Sequence, residues 1–137
     1  MILHTIRRRG AVQADLMIDD AGQYLGSIAD SFECSFGQLV ENIMSDHLQM
    51  HVALNANGVH AVAITAIVPR YDGETNCQLL GCSGDQAIEW RHLIVDLEEW
   101  ARRLGCRMMQ PVARRGWSKS LGKYGYRTTH YVLEKVL

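Results

Sequence analysis

The chain has 137 residues, 47% of them hydrophobic and 21% charged, with a formal net charge of −1. That is the size and balance of one ordinary globular domain, able to bury about two-thirds of its unfolded surface in a single core. No apolar run approaches the roughly 18–20 residues a membrane-spanning helix needs, so no such helix is expected.

The opening segment, Met1 to Gly10, carries Arg7, Arg8 and Arg9 with no apolar run after them, which is not the pattern of a secretory leader. Cys34, Cys77, Cys82 and Cys106 form no CxxC pair, so reduced thiols and a cytoplasmic setting are expected. The small net charge hides an asymmetry. Residues 1–100 hold five Lys/Arg and fourteen Asp/Glu, a net of −9, while residues 101–137 hold nine Lys/Arg and one Glu, a net of +8. Such a split suits either a basic functional surface or attraction between the two halves, within one molecule or across a dimer.

Only two prolines occur, and there are no repeats or low-complexity linkers, so a single domain spanning 1–137 is expected. In chain order, residues 2–8 suit a first strand. Ala21 to Phe32 and Phe36 to Ser45 suit two short helices, the second with Phe36, Leu39, Val40, Ile43 and Met44 at helical spacing. Ser35 with Gln38 matches a capping box at its start. His47 to Asn55 alternates as a strand does, Asn57-Gly58 signals a hairpin, and Val59 to Val68 returns. Asp72-Gly73 turns into a third strand, Thr75 to Cys82. From Asp85 to Leu104 the apolar positions Trp90, Leu93, Ile94, Leu97, Trp100, Ala101 and Leu104 define an amphipathic helix. Ser83 or Asp85 would cap its start and Gly105 its end. Glu98–Arg102 and Glu99–Arg103 would pair along it. A strand at Cys106 to Val112, a short helix at Arg114 to Lys123 and a last strand at Tyr126 to Val136 complete an α+β order with one helical crossover.

Trp100-Ala101-Arg102-Arg103-Leu104-Gly105-Cys106, succeeded at fixed spacing by Lys123-Tyr124-Gly125-Tyr126, resembles the back half of the acyl-CoA N-acetyltransferase (GNAT) family. The first stretch is similar to the end of that family's central helix and the start of its fifth strand. The second is similar to its Lys-Leu-Gly-Phe turn. The resemblance covers about fifty residues by motif and the first eighty by element order. It implies a GNAT-like fold with a central twisted, mostly antiparallel sheet flanked by helices. It also implies a fourth and fifth strand that splay apart around a coenzyme.

The family's pyrophosphate loop, Gln/Arg-x-x-Gly-x-Gly/Ala, opens the central helix, where free N–H groups bind the anion. Counting back from Gly105 puts it on Asp85-Gln86-Ala87-Ile88-Glu89-Trp90, which keeps none of the motif. Trp90 stands in place of a small residue, and Asp85 and Glu89 add charge of the wrong sign. A shifted register offers Gln78-Leu79-Leu80-Gly81-Cys82-Ser83, with an insertion before the helix. The family's general acid, a tyrosine five residues before the Phe of Leu-Gly-Phe, falls on Leu121, which has no proton to give.

These residues admit three functional readings. In the first, the chain is a divergent GNAT-like protein without a coenzyme, a binding or structural component that resembles some encoded by bacteriophages, acting in the host cytoplasm or the virion. It would work with a protein partner or as a homo-oligomer. In the second, it is an active N-acetyltransferase that takes acetyl-CoA through an atypical site. The backbone of Gln78–Leu80 would hold the pantetheine, Arg114 or Arg115 the phosphates, Glu74 or His60 would be the base, and Tyr124 or Tyr126 the acid. In the third, the basic C-terminal region binds nucleic acid or an acidic partner. There Arg102, Arg103, Arg107, Arg114, Arg115, Lys119, Lys123 and Arg127 are interleaved with Trp117, Tyr124, Tyr126 and Tyr131. The simpler use of that stretch is a solvated basic face with its aromatics in the core. Neither Cys77 and Cys82 with His60 or His92, nor His47 with His51 on one strand, has the spacing of a metal site.

Overall fold

The computed structural model describes residues 2–6, 20–85, 89–113 and 115–137. Five strands form one sheet in the order β1 to β5: β1 (Ile2–Ile6), β2 (Gln49–Asn55), β3 (Gly58–Pro69), β4 (Thr75–Gly84) and β5 (Cys106–Pro111). The first four are antiparallel neighbours, and β4 and β5 run parallel. Helices α1 (Gly22–Ser31) and α2 (Phe36–Met44) lie between β1 and β2 in the chain. Helix α3 (Ile94–Arg103), entered through a 3₁₀ turn at Arg91–Leu93, makes the crossover from β4 to β5, and α4 (Arg115–Gly122) comes next.

Alternation along the strands divides the core. Met50, Val52, Val62 and Ile64 face α1 and α2, where Leu25, Ile28, Leu39 and Ile43 close one layer. The residues between them face the other way. Ala53 and Ala61 meet Leu93, while Leu79 meets Ile94 and Leu97 of α3 and Leu121 of α4. Each large aliphatic buried in this way contributes about 1.5–3 kcal/mol. Local signals agree with this packing. The Gln38 amide donates to Ser35 Oγ at 3.1 Å, and the Ser35 amide donates to Gln38 Oε1 at 2.9 Å, so α2 starts on a complete capping box. Gly105, just past α3, has φ +84, a conformation that costs glycine little.

Three expectations change. The crossover helix does not begin at Asp85. Its first helical residue is Arg91, so Ser83, which lies inside β4, cannot cap it. Along α3, Arg102 pairs with Glu99 at 2.6 Å rather than with Glu98, because Glu98 accepts a hydrogen bond from the Tyr126 hydroxyl. The last expected strand, Tyr126 to Val136, is likewise not formed: residues 126–137 take neither helix nor strand. β5 therefore has a neighbour on one side only among the described residues. A strand is a paired state, and a β-prone sequence without a partner remains irregular.

Candidate functional site

β4 and β5 run side by side only from Thr75–Cys106 to Leu79–Pro111, with one further bond from the Val112 amide to the Leu79 carbonyl at 2.8 Å. Beyond it, β4 continues for five residues that β5 does not accompany, so the two strands part. At that point β4 carries a bulge. Leu79 stands opposite Thr65 and Gly81 opposite Ile64, leaving Leu80 as the extra residue. A bulge shifts the parity of the residues after it. Leu79 packs toward α3, yet Gly81 turns to α1, where a Cβ would lie 3.0 Å from the Phe32 ring and 3.1 Å from Ile28. Glycine at 81 thus serves the closeness of α1. Residues 78–83, the shifted register for a phosphate loop, are strand paired with β3 and not a loop at the helix start.

The residues before the crossover helix lie where a pyrophosphate loop would be; of them, 86–88 fall outside the described residues. Glu89 Oε1 accepts the Arg91 amide at 2.8 Å, at the first helical residue, and Glu89 Oε2 lies 4.0 Å from the Arg91 guanidinium. Trp90 folds back onto the sheet. A Cβ added to Gly84 would sit 2.5 Å from its indole and 2.8 Å from Ala61, so only glycine leaves room for the ring. Trp117 of α4 lies against Trp90, with ring centroids 5.6 Å apart, and the Arg91 guanidinium lies 5.4 and 5.3 Å from the two rings. The helix start thus carries its own anion, cation and aromatic cover. A coenzyme pyrophosphate does not fit this set, because it would compete with Glu89 for the same donors.

The four candidate catalytic side chains are spread out. His60 stands at the far end of β4, with its carbonyl accepting the Asp85 amide. Its imidazole is 2.7 Å from Asn55 Oδ1 and 4.0 Å from Asp85. Glu74 precedes β4 and pairs with Arg107 at 3.4 Å. The ten residues of β4 separate these two by roughly 30 Å. Tyr126 packs with Leu79, Leu97 and Leu121 and donates its hydroxyl to Glu98 at 2.6 Å. Burial, then that hydrogen bond and the Glu98 charge, hold its pKa above the ordinary tyrosine value. Tyr124 is more than a third exposed, and its amide caps α4 on the Leu121 carbonyl. Leu121 is buried core. Arg114 lies outside the described residues, and Arg115 opens α4. Two of the aromatics interleaved with the basic residues, Trp117 and Tyr126, pack in the interior.

Sequence patterning does not reveal the polar device at the centre of the sheet. His51 of β2 is fully buried between Thr5 Oγ1 and Thr65 Oγ1, each 2.8 Å from a ring nitrogen. Thr65 donates to Gln49 Oε1 at 3.0 Å, so it accepts from Nε2–H, and Nδ1 accepts from Thr5. Burial lowers the His51 pKa to about 3, and its ring meets Trp100 in a T-shaped contact with ring centroids 4.4 Å apart. The clue in the sequence is Thr65 inside an aliphatic run, opposite a histidine strand. Burial also pushes the Cys77 and Cys82 thiols up to about 12, which leaves them unreactive near neutrality. The apolar cavity beside Cys82 is about 40 Å³, far below the roughly 300 Å³ of a ligand pocket. Among the described residues, no three His, Cys, Asp or Glu side chains are grouped to hold a metal, and no helix is long and apolar enough to cross a membrane.

A curled, mostly antiparallel five-stranded sheet, a parallel fifth strand reached through a helix, and a splay after a bulge define the GNAT acetyltransferase fold. No family model matches the sequence, and no curated protein matches it by sequence. Solved structures do match along the whole chain. An acetyltransferase of Trypanosoma brucei superposes with a TM-score of 0.71 at 16% identity, covering 99% of each chain. A GNAT family acetyltransferase of Staphylococcus aureus gives 0.67 at 12% identity, covering 99% of this chain and 98% of its own. The aminoglycoside N-acetyltransferase AAC(6')-Iy, in complex with a CoA-containing bisubstrate analogue, gives 0.73 at 16% identity, covering 99% and 97%.

Proposed function

We propose that this chain uses the GNAT scaffold as a binding or structural component and does not carry acetyl-CoA. One observation carries the reading: the Glu89 carboxylate already caps the Arg91 amide at the helix start. Placing a diphosphate there would bring like charges together at the helix start and set the ligand against Glu89 for the same amide. The dispersal of Glu74, His60, Tyr124 and Tyr126, with leucine at 121, supports the same reading.

A second reading rests on the strand splay. The gap beyond Leu79 and the bulge at Leu80 would take the thioester arm of acetyl-CoA along the Gln78–Leu80 backbone, with no loop for the phosphates. Of the named side chains, His60 is the one at the open end of β4. Parallel NMR titrations with acetyl-CoA and with S-acetyl-pantetheine separate the two readings. The scaffold reading expects neither ligand to shift the amides of residues 78–84. Equal shifts with both ligands would establish the atypical arm site. Binding of acetyl-CoA alone would mean the phosphates are held, and would overturn the proposal.

A further inference from the structure

Three arginines of the basic second half meet in one cleft. Residues 101–130 hold eight Lys/Arg and no Asp or Glu. A cleft of about 1330 Å³ lies between β5 and the stretch after α4, and apart from Gln78 and Glu98 its lining comes from residues 101–132. Small-molecule pockets measure roughly 300–1,000 Å³, so this cleft has room for an extended polymer. Arg102, Arg107 and Arg127 stand on its walls. The single carboxylate of the lining among the described residues, Glu98, is engaged by the Tyr126 hydroxyl at 2.6 Å.

Two of these arginines have acidic neighbours that a ligand can displace. Arg102 lies 2.6 Å from Glu99, which Arg103 also approaches at 3.5 Å, and Arg107 lies 3.4 Å from Glu74. All of these side chains are about half exposed or more, and exposed pairs contribute little. Arg127 enters no ion pair among the described residues. Aromatic rings accompany the charge. Tyr124 and Tyr131 line the same cleft and are 37% and 86% exposed, whereas Trp117 and Tyr126 belong to the interior.

We propose that this cleft binds single-stranded nucleic acid, with Arg102, Arg107 and Arg127 on the phosphates and Tyr124 and Tyr131 against the bases. A guanidinium matches phosphate oxygens bidentately, and a base stacks on an aromatic ring whatever its identity. A duplex keeps its bases stacked on one another and would use the arginines alone. An acidic protein segment would leave the tyrosines without a base to stack on. The first hundred residues, with a net of −9, repel a polyanion and confine it to the basic end of the molecule. The proposal rests on the reading of the scaffold as a binding component and gives it a partner. Oligonucleotide binding and acetyl-CoA binding are separate measurements, so either can fail alone.

Fluorescence anisotropy of the full chain with labelled 12-nucleotide single strands of mixed sequence, one DNA and one RNA, tests it between 50 and 200 mM NaCl. Saturable binding is expected, and the tighter strand identifies the sugar. Three phosphate contacts, at about −0.7 in log–log slope each, predict roughly 20-fold weaker binding across that range. Arg127→Ala should reduce the fall to about sevenfold. Tyr131→Ala should weaken binding about tenfold at every salt concentration, with the slope unchanged. Both side chains are exposed, so circular dichroism should not change. Phe36→Ala, at an exposed ring on α2, should bind as the wild type does. No binding at 50 mM NaCl and 100 µM protein overturns the proposal. So does a duplex or a polyglutamate peptide of equal charge bound as tightly as the single strands, or binding that neither Arg127→Ala nor Tyr131→Ala weakens.

Discussion

The carboxylate of Glu89 accepts the backbone amide of Arg91 at 2.8 Å, two residues apart at the point where the crossover helix begins. A helix N-terminus has unpaired N–H groups and a partial positive charge, and attracts an anion from whatever source is nearest. Here the source is the chain itself. A bound phosphate would have to displace a covalently tethered competitor that loses no translational entropy.

Removing that competitor should weaken the helix start and open it to external anions. Glu89→Ala is expected to cost about 1 kcal/mol of stability, the usual size of a lost cap. It should also raise affinity for inorganic pyrophosphate about tenfold, because the Arg91 amide and guanidinium are both released. Chemical denaturation and calorimetric titration measure the two effects. Unchanged pyrophosphate affinity would show that Glu89 is not what excludes the anion.

Gly84 and Trp90 should behave as a coupled pair. Gly84→Ala places a methyl 2.5 Å from the indole and 2.8 Å from Ala61, so the ring must leave. The expected cost is about 1–3 kcal/mol, the range for overpacking, with a red shift of tryptophan fluorescence. In Gly84→Ala/Trp90→Ala the clash with the indole is gone and only the contact with Ala61 remains, so the double variant should lose less than the sum of the singles. Strict additivity would mean that the ring does not rest on Gly84.

His51 makes the fold sensitive to acid. Its pKa is lowered to about 3 by burial, against an ordinary value of 6.5. Below pH 6.5 the unfolded chain takes up a proton that the folded chain refuses. The His51 contribution is therefore complete above about 6.5 and falls by up to about 1.4 kcal/mol per pH unit as pH drops toward 3. Thermal melts between pH 7 and 5 should show this slope. His51→Gln should be less stable at pH 7 and flatter across the window. An equal slope in wild type and variant would contradict the assignment.

Tyr126 should ionise late. Its pKa is held above the usual tyrosine value by burial and by the bond to Glu98. Ultraviolet titration should show a tyrosine still protonated when the exposed ones have ionised, and Tyr126→Phe should remove that late component. The variant should lose about 1–2 kcal/mol at pH 7 through the missing hydrogen bond to a charged acceptor. Retained late ionisation in Tyr126→Phe would assign it elsewhere.

Much of the fold is legible in the sequence because its signals are local. The capping box at Ser35, the hairpin before Gly58, the turn at Asp72-Gly73 and the αL glycine at 105 each depend on neighbours a few residues away. The start of the crossover helix is not, because Trp90 fits the helical spacing yet is drawn out of it by the space over Gly84, a contact six residues back. The final strand is not either. The β-prone composition of 126–136 states a preference, and among the described residues that stretch pairs with no strand. The missing motif at 85–90 is legible as an absence. That Glu89 caps the helix, rather than only repelling phosphate, needs the backbone geometry. The His51 relay joins three strands through register, which composition does not contain.

The most direct test of the central claim is a calorimetric titration of the wild-type protein with acetyl-CoA to millimolar concentration. Occupation of the helix start by Glu89 and Trp90 predicts no saturable heat. A saturable isotherm with a micromolar dissociation constant would contradict it and restore the acetyltransferase reading.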